Sequence, residues 1–218
     1  MDDTQIIYIL TLFDSQLPIG SFVFSWGIET YASDGLTEKD IKELILSYVE
    51  EGQLLFDLYT CKISYINASM PDIISSINDF YTAYKYIPPA CESSLTLGSN
   101  LIRVARSIFS LDLQCLPDEI HFPVGLGIVG NMLNLPLRAL LLAYAHSSVK
   151  GIINSVLRCI PISSFKCWYI LFNMKASLEK CVEKALHIEK PEDIYINTLL
   201  WDAYIHKQQF LETRLFEV

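Results

Sequence analysis

Apolar residues recur at helical spacing along nearly the whole of this 218-residue chain. Ile6, Ile7, Ile9, Leu10 and Phe13 predict a short helix over 5–13. After Thr37-Glu38-Lys39-Asp40, a capping-box start with Asp in place of Glu, apolar positions 41, 44, 45, 48, 49, 55, 58 and 59 continue one helix to about 68, closed by Pro71. Ile73, Ile74, Ile77, Phe80, Tyr81 and Tyr84 share the next, which Pro88-Pro89 stops. Further helices are predicted over 90–111, 119–133 and 136–158. Another runs from a Ser163-Ser164 cap through 188, and a last one opens at Pro191-Glu192-Asp193 and reaches about 212. Proline in the first turn followed by acids suits a helix start. No alternating run is bounded by hairpin turns, and no fixed repeat appears. The pattern predicts an all-α fold of about eight or nine helices in a single compact domain, 1–218.

One stretch departs from this regularity. Asp14 to Tyr31 holds one proline, two glycines, three serines and four aromatics in eighteen positions. Pro18 fixes φ, while Gly20 and Gly27 admit backbone shapes or close approaches that other residues resist. On turn chemistry alone the segment is a tight connection between helices, with Ser25 capping a helix that ends at Asp34-Gly35.

Composition adds an interface signal. The apolar fraction of 51% and the mean hydropathy of +0.32 exceed what a modest core needs, and point to a thick helical core or large partner surfaces. The net charge of −9 argues against a nucleic-acid partner. From Ile120 through Leu178 there is no Asp or Glu, and Arg138, Lys150, Arg158, Lys166 and Lys175 make that segment +5 against −14 for the remainder. Such asymmetry steers protein partners, or marks a buried helix pair from which acids are excluded. Cysteines 61, 91, 115, 159, 167 and 181 show no CxxC spacing, and the acidic Met1-Asp2-Asp3 start is wrong for a secretory segment. Reduced cysteines in a cytoplasmic protein follow. The window 124–145 is interrupted by Asn131, Asn134, Pro136 and Arg138, so a buried core is expected there and no membrane span.

Candidate chemistry is sparse. Gly125-Leu126-Gly127-Ile128-Val129-Gly130 matches GxGxxG, but Pro123 stands where a strand is needed and no acid follows at ribose-binding distance. The glycines read instead as close contacts between helices. No P-loop, HExxH, nucleophile elbow or kinase signature is present. Cys115/His121 and Cys181/His187 repeat a C-x5-H spacing that matches no standard metal set. No catalytic residue and no cofactor or metal ligand is assigned. A helical enzyme or small-ligand-binding protein using the glycine-rich 124–145 region as its pocket is the alternative reading.

The C-terminus carries Thr213-Arg214-Leu215-Phe216 in a tail of about 207–218. Two large apolar groups on a terminal tail must dock, either on their own domain or in a partner.

Together these blocks resemble the UreF-type urease accessory proteins. Leu17-Pro18-Ile19-Gly20-Ser21-Phe22, followed by Ser25-Trp26-Gly27-Ile28-Glu29, is similar to that family's signature. Leu97-Gly98-Ser99-Asn100-Leu101-Ile102-Arg103 looks like its glycine-x-x-leucine-aliphatic-arginine helix, Arg158-Cys159-Ile160-Pro161-Ile162 like its arginine-x-x-proline-leucine turn, and Thr213-Arg214-Leu215-Phe216 like its tail. Ser163-Ser164 and Gln208-Gln209 depart from it, standing where the family has glycine-glutamine and histidine-glutamate. The resemblance implies an all-α homodimer that is no stand-alone enzyme. It implies a scaffold between a nickel-carrying UreG-type GTPase, a UreD/UreH-type protein and apo-urease, regulating that GTPase, with nickel as the cargo of the complex. Carried onto this sequence, it implies partner-binding roles for Pro18, Gly20, Ser25, Gly27, Glu29, Arg103, Arg158, Arg214, Leu215 and Phe216. Glu29 and its loop would face the GTPase, and the Arg-Leu-Phe tail would enter the UreD/UreH-type protein.

Overall fold

The structure, a computed structural model, describes residues 1–50, 52–113, 116–117 and 119–217. Cys115, half of one C-x5-H pair, lies outside the described residues. The elements are α1 (Asp3–Leu12), α2 (Ile28–Ser33), α3 (Glu38–Glu50), α4 (Gln53–Ile66), α5 (Pro71–Tyr84), α6 (Pro88–Ile108), α7 (Phe122–Met132), α8 (Leu137–Cys159), α9 (Ser164–Asn173), α10 (Lys175–His187) and α11 (Leu199–Gln208). Short 3-10 turns occur at Ser21–Val23 and Pro191–Asp193. The fold is all-α, as the apolar periodicity predicts, and no helix of the described residues is long and apolar enough to cross a membrane.

Eleven helices among the described residues exceed the predicted eight or nine because two long predicted helices are each broken. The first breaks at Gly52, which has φ +104°; a Cβ there would collide with the Tyr195 carbonyl oxygen and lie 2.9 Å from its carbon. The extended backbone at Tyr195–Ile196 therefore occupies the notch between α3 and α4. That passage also explains why the last helix begins at Leu199 and not at Pro191, whose predicted first turn stays a lone 3-10 turn. The second break falls at Met174, between α9 and α10. Pro88-Pro89, expected only to stop α5, also opens α6 at its first turn. Ser25 does not cap α2: its N-cap is Gly27 in the left-handed region, and the Ser25 hydroxyl points elsewhere.

The core is built on α4, which is buried almost all round from Gln53 to Lys62. A helix apolar around its circumference belongs inside. α7 crosses it closely because of one glycine. A Cβ on Gly127 would collide with the Cys61 carbonyl oxygen and lie 2.8 Å from Tyr65 N. Gly98 does the same for α6, where a Cβ would collide with the Ile120 carbonyl oxygen. The GxGxxG stretch is thus helix–helix contact inside α7, preceded by Pro123 and no strand. Gly127→Ala is expected to lower stability by at least about 2 kcal/mol, as overpacking against backbone does. A chemical-denaturation midpoint within error of wild type would show that α7 and α4 can move apart freely.

Candidate functional site

The aromatic loop and the C-terminal tail, far apart in sequence, meet in the fold. The loop follows α1 and turns at Gly20 (φ +84°), passes through the Ser21–Val23 turn, and reaches Trp26 (φ +56°) and Gly27 (φ +82°). Two consecutive left-handed residues swing the chain sharply into α2, and a non-glycine there costs about 1 kcal/mol or more. Gly27 is required by space as well. A Cβ would stand 3.1 Å from Ile205 N, so the loop lies directly on α11. Tyr31 stacks on Tyr204 at 3.7 Å between centroids, and Lys207 pairs with Asp34, holding that carboxyl below its ordinary range.

At the end of α11, Gln208 is 3% exposed and joins loop to tail. Its Oε1 accepts from the Ser25 hydroxyl at 2.8 Å and from Gly27 N–H at 3.0 Å. Its Nε2 donates to Glu29 Oε2 at 3.5 Å and to the Glu217 carbonyl at 3.3 Å. The other Glu29 oxygen accepts from Leu215 N–H. Glu217 N–H donates to the Val23 carbonyl at 2.9 Å, forming a parallel bridge with Phe24. Buried polar atoms must find partners, and here a glutamine side chain supplies them to both segments.

Phe216 is 7% exposed, its ring 5.1 Å from the Arg158 guanidinium, while Leu215 is 75% exposed and Arg214 also faces solvent. Arg158 Nη1 donates to the Phe22 carbonyl at 2.7 Å. Of the two docking modes open to the tail, Phe216 adopts the one on its own domain. The structure brings Ser25, Gly27, Glu29, Arg158, Leu215 and Phe216 into one assembly, with Glu29 buried beneath the tail and not presented outward. Pro18 is exposed on the loop's outer edge. Gly20 and Arg103 connect through Asn100, which donates to the Ile19 carbonyl at 3.0 Å and accepts from Arg103 Nη2 at 3.0 Å.

Behind the loop lies a second polar group that the spacing analysis missed. Asp57, buried on α4, accepts from Tyr81 Oη at 2.6 Å, from Gln53 Nε2 at 3.0 Å and from Tyr48 Oη at 3.5 Å, with Lys85 Nζ at 3.8 Å. Burial, then the Asp57 charge, raises the Tyr48, Tyr81 and Tyr144 phenols well above their ordinary range, so all three stay neutral. His121 packs at a tilt against the Tyr81 ring, 4.7 Å between centroids, and shares a 2.9 Å hydrogen bond with Thr82. Burial, then Lys85, lowers its pKa to about 4. The signal for this cluster was a lone acid in the apolar run Leu54-Leu55-Phe56-Asp57-Leu58. The partners come from α3 and α5, which no local spacing connects.

No group of three or more His, Cys, Asp or Glu is arranged for a metal ion among the described residues. His187 Nδ1 bonds the Glu183 carbonyl at 2.7 Å, and burial pushes the Cys181 thiol up to about 12, so that C-x5-H pair forms no site.

Comparison with known proteins places these features in context. The UreF family model matches residues 36–175. The "Urease accessory protein UreF" of Geobacillus kaustophilus is 25% identical over 170 residues, covering 74% of this chain and 76% of that protein. The protein of the same name from Haemophilus influenzae strain Rd is 25% identical over 230 aligned positions, covering 98% of this chain and 95% of its own length. The family match stops short of both loop and tail, whereas the second alignment spans nearly the whole chain.

Gln208→Ala is expected to free the tail, since it leaves the Ser25 hydroxyl and one Glu29 oxygen without their partner. Trypsin should then cut after exposed Arg214 several-fold faster than in wild type, and stability should fall by about 2 kcal/mol. Equal cleavage rates would show that the tail is held by something else.

Proposed function

The chain belongs to the UreF family and is a urease accessory protein, and from that premise we propose that it scaffolds nickel insertion into apo-urease. In this reading it joins a UreG-type GTPase to a UreD/UreH-type protein, works in the cytoplasm as a homodimer, and regulates the GTPase without performing chemistry itself. Nickel is the cargo of the complex, and no residue of this chain is assigned to it.

One observation supports the reading above the rest. The two elements that the family resemblance assigns to different partners, the Glu29 loop and the Arg-Leu-Phe tail, share Gln208 and Glu29 as common hydrogen-bonding groups. A UreD/UreH-type partner that draws the tail away uncovers Glu29 and Ser25 for the GTPase. Arg214 and Leu215 are the outward part of the tail, suited to first contact, and Phe216 is the anchor that transfers. Buried aromatics and arginines dominate affinity at such interfaces. Arg103 and Arg158 sit at the two borders of the loop and supply polar rim contacts. Pro18 and Gly20 hold the loop's shape.

The test is co-purification with the cognate UreD/UreH-type protein and UreG-type GTPase. Removing residues 210–218 should abolish capture of the UreD/UreH-type protein. Phe216→Ala should weaken it by about 2 kcal/mol, roughly 30-fold. Glu29→Ala should reduce urease activation. Full-yield capture by the truncated chain sinks the assignment of the tail.

A further inference from the structure

A cavity of about 510 Å³ lies between the aromatic loop and α8. Its lining runs from exposed Phe22 and Arg158 to buried Asp57 and Tyr81. This is the size range of small-molecule sites, which combine apolar walls with a few convergent polar groups. The glycines of the 124–145 region, Gly125, Gly127 and Gly130, face helices and do not line the cavity, and of that region only Tyr144 does.

Two independent features show that the space is maintained. Gly151 stands inside α8 and lines the cavity, yet a Cβ there would meet nothing within 4 Å. A glycine in a helix interior costs about 1 kcal/mol relative to alanine. Gly98 and Gly127 are explained by neighbouring backbone, whereas Gly151 keeps only the cavity open. The second feature is Tyr144, one face of α8 with Gly151. It is 6% exposed, it lines the cavity, and its hydroxyl makes no hydrogen bond among the described residues. A ligand oxygen in the cavity would give that hydroxyl a partner.

The charges select the ligand. Asp57 is paired with Lys85. Arg158 is engaged by the Phe22 carbonyl and the Phe216 ring. Lys150 lines the cavity half-buried, with neither an ion pair nor a hydrogen bond among the described residues, so of the cations in the lining it is the one free to meet an acid. The walls facing α8 include Phe24, Trp26, Phe122 and Trp201, which favour a ring edge or face.

We propose that this cavity binds a small, flat aromatic molecule carrying a single acidic group, its acid at Lys150, its ring system over Gly151 and a polar substituent or acid oxygen at the Tyr144 hydroxyl. The site stands on the cavity alone and not on the accessory role, so its failure leaves that role untouched.

The test is calorimetric titration of the full chain with 2-naphthoate, and with 2-naphthylmethylammonium as the cationic isostere. Naphthoate should bind one to one and the ammonium at least tenfold more weakly. Lys150→Ala and Tyr144→Phe should each lower naphthoate affinity roughly tenfold, the scale of one charged or buried hydrogen bond. Gly151→Leu and, as a second filling variant, Gly151→Met should abolish binding while melting at or above the wild-type temperature. The proposal is overturned if wild type does not bind naphthoate, if the filled variants bind it equally, or if the ammonium binds as well. Unfolding of both filled variants overturns it too, because the space over Gly151 would then not be free.

Discussion

A buried glutamine side chain holds the aromatic loop and the C-terminal tail of this molecule together. Gln208 offers one acceptor and two donors at a place where loop and tail both have polar groups to satisfy. Without it, the Ser25 hydroxyl, the Gly27 amide and a Glu29 oxygen would be sealed from water next to Phe24 and Ile205. Each such group costs about 1–3 kcal/mol when stranded. The loop's left-handed turn at Trp26–Gly27 is held by the same bonds, since it brings Gly27 N–H onto Gln208. Conformation and hydrogen bonding therefore stand or fall together, and the tail is held by what remains of the network. Any partner that takes the tail must supply replacements for the Glu29 and Val23 contacts. Any partner that engages Glu29 alters the hold on the tail, by the reciprocity that links two sites sharing one set of contacts.

The helical core places this assembly. α4 is buried nearly all round, and α7 lies close on it through Gly127. α11 reaches the loop because the extended stretch at Tyr195–Ile196 passes through the notch at Gly52 before the helix begins. The loop thus rests on α11 on one side and borders the cavity on the other, with the Asp57 cluster at the buried end. That cluster is a set of neutral phenols and one paired carboxylate. It suits hydrogen bonding and charge balance.

Much of the fold was legible in the residues. The 3.6-residue apolar period located nearly every helix, whereas Pro71 and Pro88-Pro89, read only as stops, also open α5 and α6. The breaks were not legible, because Gly52 interrupts a helix for the sake of Tyr195, a residue more than a hundred positions away. That Asp14–Tyr31 departs from regular helix, and that the Arg-Leu-Phe tail must dock, was visible in the residues. Their mutual contact was not. Gln208 stood out only as a departure from the family pattern, and nothing local announces that a glutamine at the end of a helix will reach Ser25. Asp57 gave a fainter hint, as one acid in an apolar run, but its partners Tyr81 and Tyr48 come from other helices. Ser25 shows the opposite error: a serine before a helix reads as a cap, yet tertiary bonding claims its hydroxyl.

The central claim is that loop and tail form one hydrogen-bonded unit in the free chain. Residue-resolved amide hydrogen exchange tests it most directly. Leu215 and Glu217, whose amides donate to Glu29 and Val23, should exchange at least tenfold more slowly than those of Thr213 and Arg214, and Ser25→Ala should reduce that protection. Exchange of all four amides at the rate of an unstructured tail would contradict the account.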